Sequence, residues 1–132
     1  MDANYQHSDN NSTMSGTKRP RVVAVPGFGG AGGDFMPLVE RLPSCDWRLL
    51  TWPGCDGTSY VDPQFYQRDR LCEWLESVVR PTDVVFGYSM GGRLTLECMA
   101  RGMELRAAII VAAVPGIPSQ KERRSRKDAD DI

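Results

Sequence analysis

The chain has 132 residues, 41% of them hydrophobic and 25% charged, with a formal net charge of −1. That length suits one domain with its own core. The near-neutral balance offers no field to recruit nucleic acid or an acidic membrane, and no apolar run nears the roughly 18 residues of a membrane span.

Residues 1–19 are rich in Asn, Ser, Asp and Thr. They bury too little surface to offset ordering entropy, so a disordered tail is expected, with residues 20–132 forming the domain. The tail has no apolar core of the secretory kind, and a cytoplasmic protein is expected. The N-x-[ST] sequons at Asn10 and Asn11 are then read as chance. Its His7 is the sole histidine of the chain, and nothing in a flexible polar tail positions it. Cys45, Cys55, Cys72 and Cys98 are widely spaced with no C-x-x-C pair, so neither a zinc site nor any other metal is expected. They are read as reduced thiols.

From Arg21 the texture changes. "RVVAV" (21–25) is a β-branched run that predicts a buried strand. The glycine-rich "PGFGGAGGD" follows. "DFMPLVERL" then sets Phe35, Leu38, Val39 and Leu42 at helical spacing, with Asp34 as N-cap. "WRLLTW" (47–52) predicts a second strand closed by "PGCDGTS". Residues 64–80 carry a helical stripe of Phe65, Leu71, Cys72, Leu75, Val78 and Val79, and Pro81 stops it. "VVFGY" (84–88) is a third strand. "SMGGRLTLECMARG" is a helix ended by Gly102. A fourth strand spans about residues 107–113, and "SQKERRSRKDADDI" is charged and helical at first. Strands alternating with helices predict a three-layer α/β/α fold around a mostly parallel, doubly wound sheet. Ligands of such sheets bind beyond the carboxyl ends of the strands. The loops at 26–33, 53–59, 89–92 and 114–119 all follow strands and gather on that rim.

Gly87-Tyr88-Ser89-Met90-Gly91 fits G-x-S-x-G, a serine presented on a tight strand-to-helix turn. Small residues two before and two after it let neighbouring backbone approach, and the following helix aims its positive end at the site. The alternative is a structural turn in which Ser89 only caps the helix. "PGFGG" (26–30) supplies backbone N–H groups that could complete an oxyanion hole with the N–H of Met90; its alternative is a plain glycine-rich connection. A phosphate loop is excluded, because no Gly-Lys-Ser/Thr follows.

With "WPGCDGTS" (52–59), these motifs resemble the α/β-hydrolase superfamily, with Pro26 where that family has a loop histidine and Cys55-Asp56 where it has His-Gly. "GYSMGGRLTLECMARG" and the later "AIIVAAVPGIPSQKERRSRKDAD" are similar to the 2-succinyl-6-hydroxy-2,4-cyclohexadiene-1-carboxylate synthase family of the menaquinone pathway. The resemblance runs from about Arg21 to the C-terminus. It implies an enzyme that removes a substrate proton and eliminates pyruvate, with no cofactor and a small carboxylate as substrate. Ser89 would be the catalytic serine, and the N–H groups of Phe28 and Met90 the oxyanion hole. Arg93 and Arg126 would hold substrate carboxylates, for which guanidinium forks suit. Tyr88 and Gly27 would line the pocket. The alternatives are a general serine esterase, a carboxylate-binding module or a half-site completed by another chain. Arg93 could also be a surface residue and Arg126 part of a solvated basic helix.

The family order is serine, acid, histidine, and no histidine follows Ser89. A lid, further strands and the histidine loop are expected beyond Ile132. Without them the strand near 107–113 would be an exposed apolar edge, open to self-association, and the serine a weak nucleophile.

Overall fold

Side chains of a pleated strand alternate between faces, and the burial of Arg21–Val25 follows that alternation. Val23 and Val25 enter one core with Leu50, Trp52, Leu75 and Val85. Val22 and Ala24 enter a second core with Phe35, Val39, Trp47 and Leu49. The strand is therefore buried on both faces, as an unbroken β-branched run requires. The structure is a computed structural model that describes residues 5–7, 19–55, 62–115 and 119–130.

The strands are β1 (Tyr5–His7), β2 (Arg21–Val25), β3 (Asp46–Leu49), β4 (Val84–Tyr88) and β5 (Ala107–Val111). They form one sheet in the order β1-β3-β2-β4-β5. β3, β2, β4 and β5 are parallel, and β1 runs antiparallel to β3. Helix α1 (Met36–Arg41) covers one face. Helices α2 (Arg68–Val78) and α3 (Met90–Ala100) cover the other. This is the three-layer, doubly wound arrangement expected. The chain leaves β2 toward β3 on one side and β4 toward β5 on the other. The loops after β2 and β4 thus diverge at a switch point, where such sheets hold ligands.

Several expectations are corrected. Tyr5–His7, read as part of a disordered tail, pairs with Trp47–Leu49. A polar sequence can take an edge position because backbone groups make the ladder. Asp34 is not the N-cap: it is the third residue of a 3₁₀ turn, Gly32–Phe35, and its carboxylate accepts from Ala31 N at 3.1 Å. The second strand ends at Leu49, with Leu50 and Trp52 buried beyond it. The helix expected over 64–80 divides into a 3₁₀ turn, Pro63–Tyr66, and α2. Asp62 caps the turn by accepting from Gln64 N at 2.9 Å. α2 stops early because Val79 is already extended (φ −79°, ψ 134°). β5 ends at Val111, where Ala112 turns to φ 56°. Gly102, at φ 100°, follows the end of α3 as expected. Helix α4 (Gln120–Asp130) stands with its described side chains exposed.

Candidate active site

Ser89, between β4 and α3, has φ 51° and ψ −116°. A non-glycine residue holds such a backbone at a cost of order 1–3 kcal/mol. Packing on both sides of the turn imposes it. A Cβ on Gly91 would overlap the Val25 carbonyl oxygen, and one on Gly87 would stand 2.7 Å from Gly92 Cα. Helix α3 thus leans on β2 and β4 more closely than side chains permit. Ser89 N donates to Val111 O at 2.9 Å, and Arg93 N donates to Ser89 O at 3.0 Å. Ser89 stands at the N-cap position, yet its side chain makes no capping hydrogen bond. The geometry therefore matches a presented serine rather than a capping one.

Ser89 opens onto a cleft of about 860 Å³ shared with Phe28, Tyr66, Met90, Arg93 and Pro115. Leu71 and Leu94 give it an apolar wall from α2 and α3. The first N–H groups of α3, beginning with Met90, have no acceptor within the helix and carry its positive end. Arg68 also borders the cleft, but its charge is matched by Glu97 at 3.2 Å, and Glu97 is shared with Arg101 at 3.0 Å. Arg93 is an exposed cation on the cleft wall without an ion-pair partner among the described residues.

Gly27 brings the loop after β2 against the serine turn. A Cβ there would lie 3.2 Å from the Tyr88 ring and 3.5 Å from Ser89 Cβ. Tyr88 and Gly27 do not line the serine cleft. They line a neighbouring cavity of about 440 Å³ on the α1 side, with Phe35, Leu38 and Phe86. Phe28 borders both spaces. Strand alternation explains the split, since Tyr88 shares a face with Phe86. Arg126 lies in α4, but its side chain, like Asp56–Ser59 of the third motif, lies outside the described residues.

The sequence reading missed Tyr66, Arg68 and Glu97 at this cleft. Only the spacing of Arg93, Glu97 and Arg101, each four apart along α3 and its C-cap, hinted at one charged helix face. The Tyr66 hydroxyl donates to the Pro53 carbonyl and stands 3.9 Å from Cys55 Sγ. Burial, aided by the thiol, pushes its pKa up to about 12.

His7 is remote. Across the ladders it aligns with Trp47, then Val22, then Val84, five residues before Ser89. Three strand spacings and five residues of rise amount to about 14 Å across the sheet and about 16 Å along it. Among the described residues no group of three His, Cys, Asp or Glu could hold a metal ion. No described helix is long and apolar enough to cross a membrane.

Known proteins share this frame. The pimeloyl-[acyl-carrier protein] methyl ester esterase of Xanthomonas campestris pv. campestris is 33% identical over 97 residues, 73% of this chain and 38% of that protein. The 2-succinyl-6-hydroxy-2,4-cyclohexadiene-1-carboxylate synthase of Salmonella arizonae is 22% identical over 129 residues, 94% of this chain and 50% of that protein. The solved structure of MenH from S. aureus superimposes with a TM-score of 0.79 at 20% identity, over 99% of this chain and 50% of that one. The chain thus spans half or less of the length of these relatives. The Alpha/beta hydrolase family matches residues 22–131. That span runs from β2 through the strained serine turn to the end of α4, and the chain belongs to the alpha/beta hydrolase family.

Proposed function

We propose that the chain carries the serine and oxyanion half of a site of the 2-succinyl-6-hydroxy-2,4-cyclohexadiene-1-carboxylate synthase kind, acting on a small substrate with several carboxylates. The backbone of Ser89 supports this most directly: a strained turn between strand and helix, with the hydroxyl free of any cap. In the proposed reaction the serine, activated by a general base, takes a proton from the substrate. Electron density then moves to an oxygen bound by the N–H groups of Phe28 and Met90, and pyruvate leaves. Such donors lower the barrier because they are already aimed where charge develops. Arg93 holds a carboxylate of the substrate, with Arg126 as a second candidate. No cofactor takes part. His7 stands at the far rim, so the base that this reading requires is not His7.

Hydrolysis of a carboxylate-bearing ester is the second reading, favoured by the 33% identity to the methyl ester esterase. Adding imidazole as an external base separates the two. Pyruvate released from the synthase substrate, measured with a coupled dehydrogenase, supports the first. Methanol released from pimeloyl methyl ester supports the second. Either activity should rise with imidazole and vanish in Ser89→Ala; persistence in that variant would sink both. Titration with 2-succinylbenzoate tests the anion site: Arg93→Ala should weaken binding about tenfold, and unchanged binding removes Arg93 from it.

A further inference from the structure

Trp52 is 1% exposed, yet it carries an N–H that its apolar neighbours cannot satisfy. Its Nε1 donates to Gly27 O at 2.7 Å and to Pro26 O at 3.1 Å. Gly30 N donates to the same Gly27 oxygen at 2.9 Å. Two donors therefore pin the Gly27 carbonyl toward the protein interior. The described chain has no cis peptide bond, and in a planar trans peptide the next N–H points opposite to the carbonyl. The Phe28 N–H is thereby turned away from the core, toward the rim where Phe28 borders both the serine cleft and the neighbouring cavity.

Beside these two donors, of which the Gly30 N–H belongs to the loop itself, the loop has little to hold it. The Phe28 side chain is 87% exposed and anchors nothing. Gly29, at φ 67°, has no atom within 4 Å of where its Cβ would be. The indole itself is fixed, packed 5.3 Å from the Trp74 ring and within the core of Leu71, Cys72 and Leu75. We propose that Trp52 is the positioning residue of the loop after β2, its indole N–H holding the Pro26 and Gly27 carbonyls so that the Phe28 N–H faces the Ser89 cleft. This rests on Phe28 N–H being an oxyanion donor.

The test uses the ¹⁵N-labelled full chain and phenylboronic acid. Boron accepts a lone pair of Ser89 Oγ and the hydroxyl proton passes to water, leaving a tetrahedral boronate with an oxygen at the oxyanion position. In the wild type the Phe28 and Met90 amide signals should both shift. Trp52 is then replaced by 3-benzothienylalanine, which keeps the ring shape and puts sulfur in place of N–H, and separately by Trp52→Phe. The Met90 shift should persist, the Phe28 shift should be lost, and boronate affinity should fall about tenfold. A Phe28 shift that survives in either folded variant overturns the role of Trp52 while leaving the oxyanion hole standing. Silence of both amides in the wild type instead defeats the oxyanion reading, and the Trp52 role with it. Should neither variant fold, the wild type decides: scalar coupling from Trp52 Nε1 to the Gly27 carbonyl carbon supports the role, and its absence overturns it.

Discussion

At Gly91 a single methyl group decides whether the serine turn exists. It would meet the Val25 carbonyl, which is backbone at the end of a central strand and has nowhere to go. Gly91→Ala should therefore lower stability by about 3 kcal/mol. Thermal unfolding measures this, and an unchanged midpoint would show that α3 can move away from β2. The glycines around Ser89 made that turn legible in the sequence, because few other reasons put small residues two before and two after a serine. Trp52 was not legible as a partner of Gly27, since a contact between residues 25 apart leaves no spacing to read. Tyr66 was illegible for the same reason, and it makes a pH prediction. An unfolded tyrosine loses its proton near pH 10, whereas in the folded chain Tyr66 keeps it to about 12. Between those values the unfolded state binds fewer protons, so the stability contributed by Tyr66 is full below pH 10 and is lost as pH rises to 12. Absorbance at 295 nm should show the Tyr66 phenol titrating late, a step that Tyr66→Phe should remove.

The start of β2 and the turn before β4 are joined by one buried ion pair. Arg21 Nε faces Asp83 Oδ1 at 3.3 Å, with the side chains 12% and 1% exposed. Arg21 also donates to Val78 O at 2.7 Å, at the end of α2, and Asp83 Oδ2 accepts from Arg80 N at 2.7 Å. One pair thus ties two strands to a helix end. Burial lowers the Arg21 pKa and Asp83 opposes it. Asp83→Asn keeps the shape but leaves a buried guanidinium uncompensated, which should destabilise the chain by about 3 kcal/mol. Chemical denaturation checks the size, and adding Arg21→Met should recover part of the loss; strictly additive effects would show that the two charges do not interact. The elements themselves were mostly legible, because β-branched runs and helical stripes reflect the burial that builds them. Their ends were not. Asp34 looked like a cap from its place before an apolar stripe, but the chain makes a 3₁₀ turn first. Tyr5–His7 gave no signal, because an edge strand can be held by backbone alone.

Across the whole molecule the sheet is protected unevenly. The β1 edge is short, whereas β5 borders no further strand among the described residues. Its sequence, Ala-Ala-Ile-Ile-Val, has none of the charges or prolines that blunt natural edges. Ile109 is 49% exposed and Val111 38%. Val111 O is bound by Ser89 N. Alternation along the strand then turns the backbone groups of Ala108 and Ile110 outward, ready to pair. A net charge of −1 provides little repulsion between copies. The chain by itself should therefore self-associate through β5. Sedimentation velocity should show larger species growing with concentration, and Ile109→Lys should return the chain to monomer by placing a charge on the open face. The exposed position keeps the expected change in stability within about 0.5 kcal/mol. The variant should also leave Ser89 as reactive as before toward a fluorophosphonate, because the bond from Ser89 N uses backbone of Val111 rather than the Ile109 side chain. A wild-type chain that stays monomeric at every concentration would mean that the edge is guarded by its own twist or by residues outside the described set.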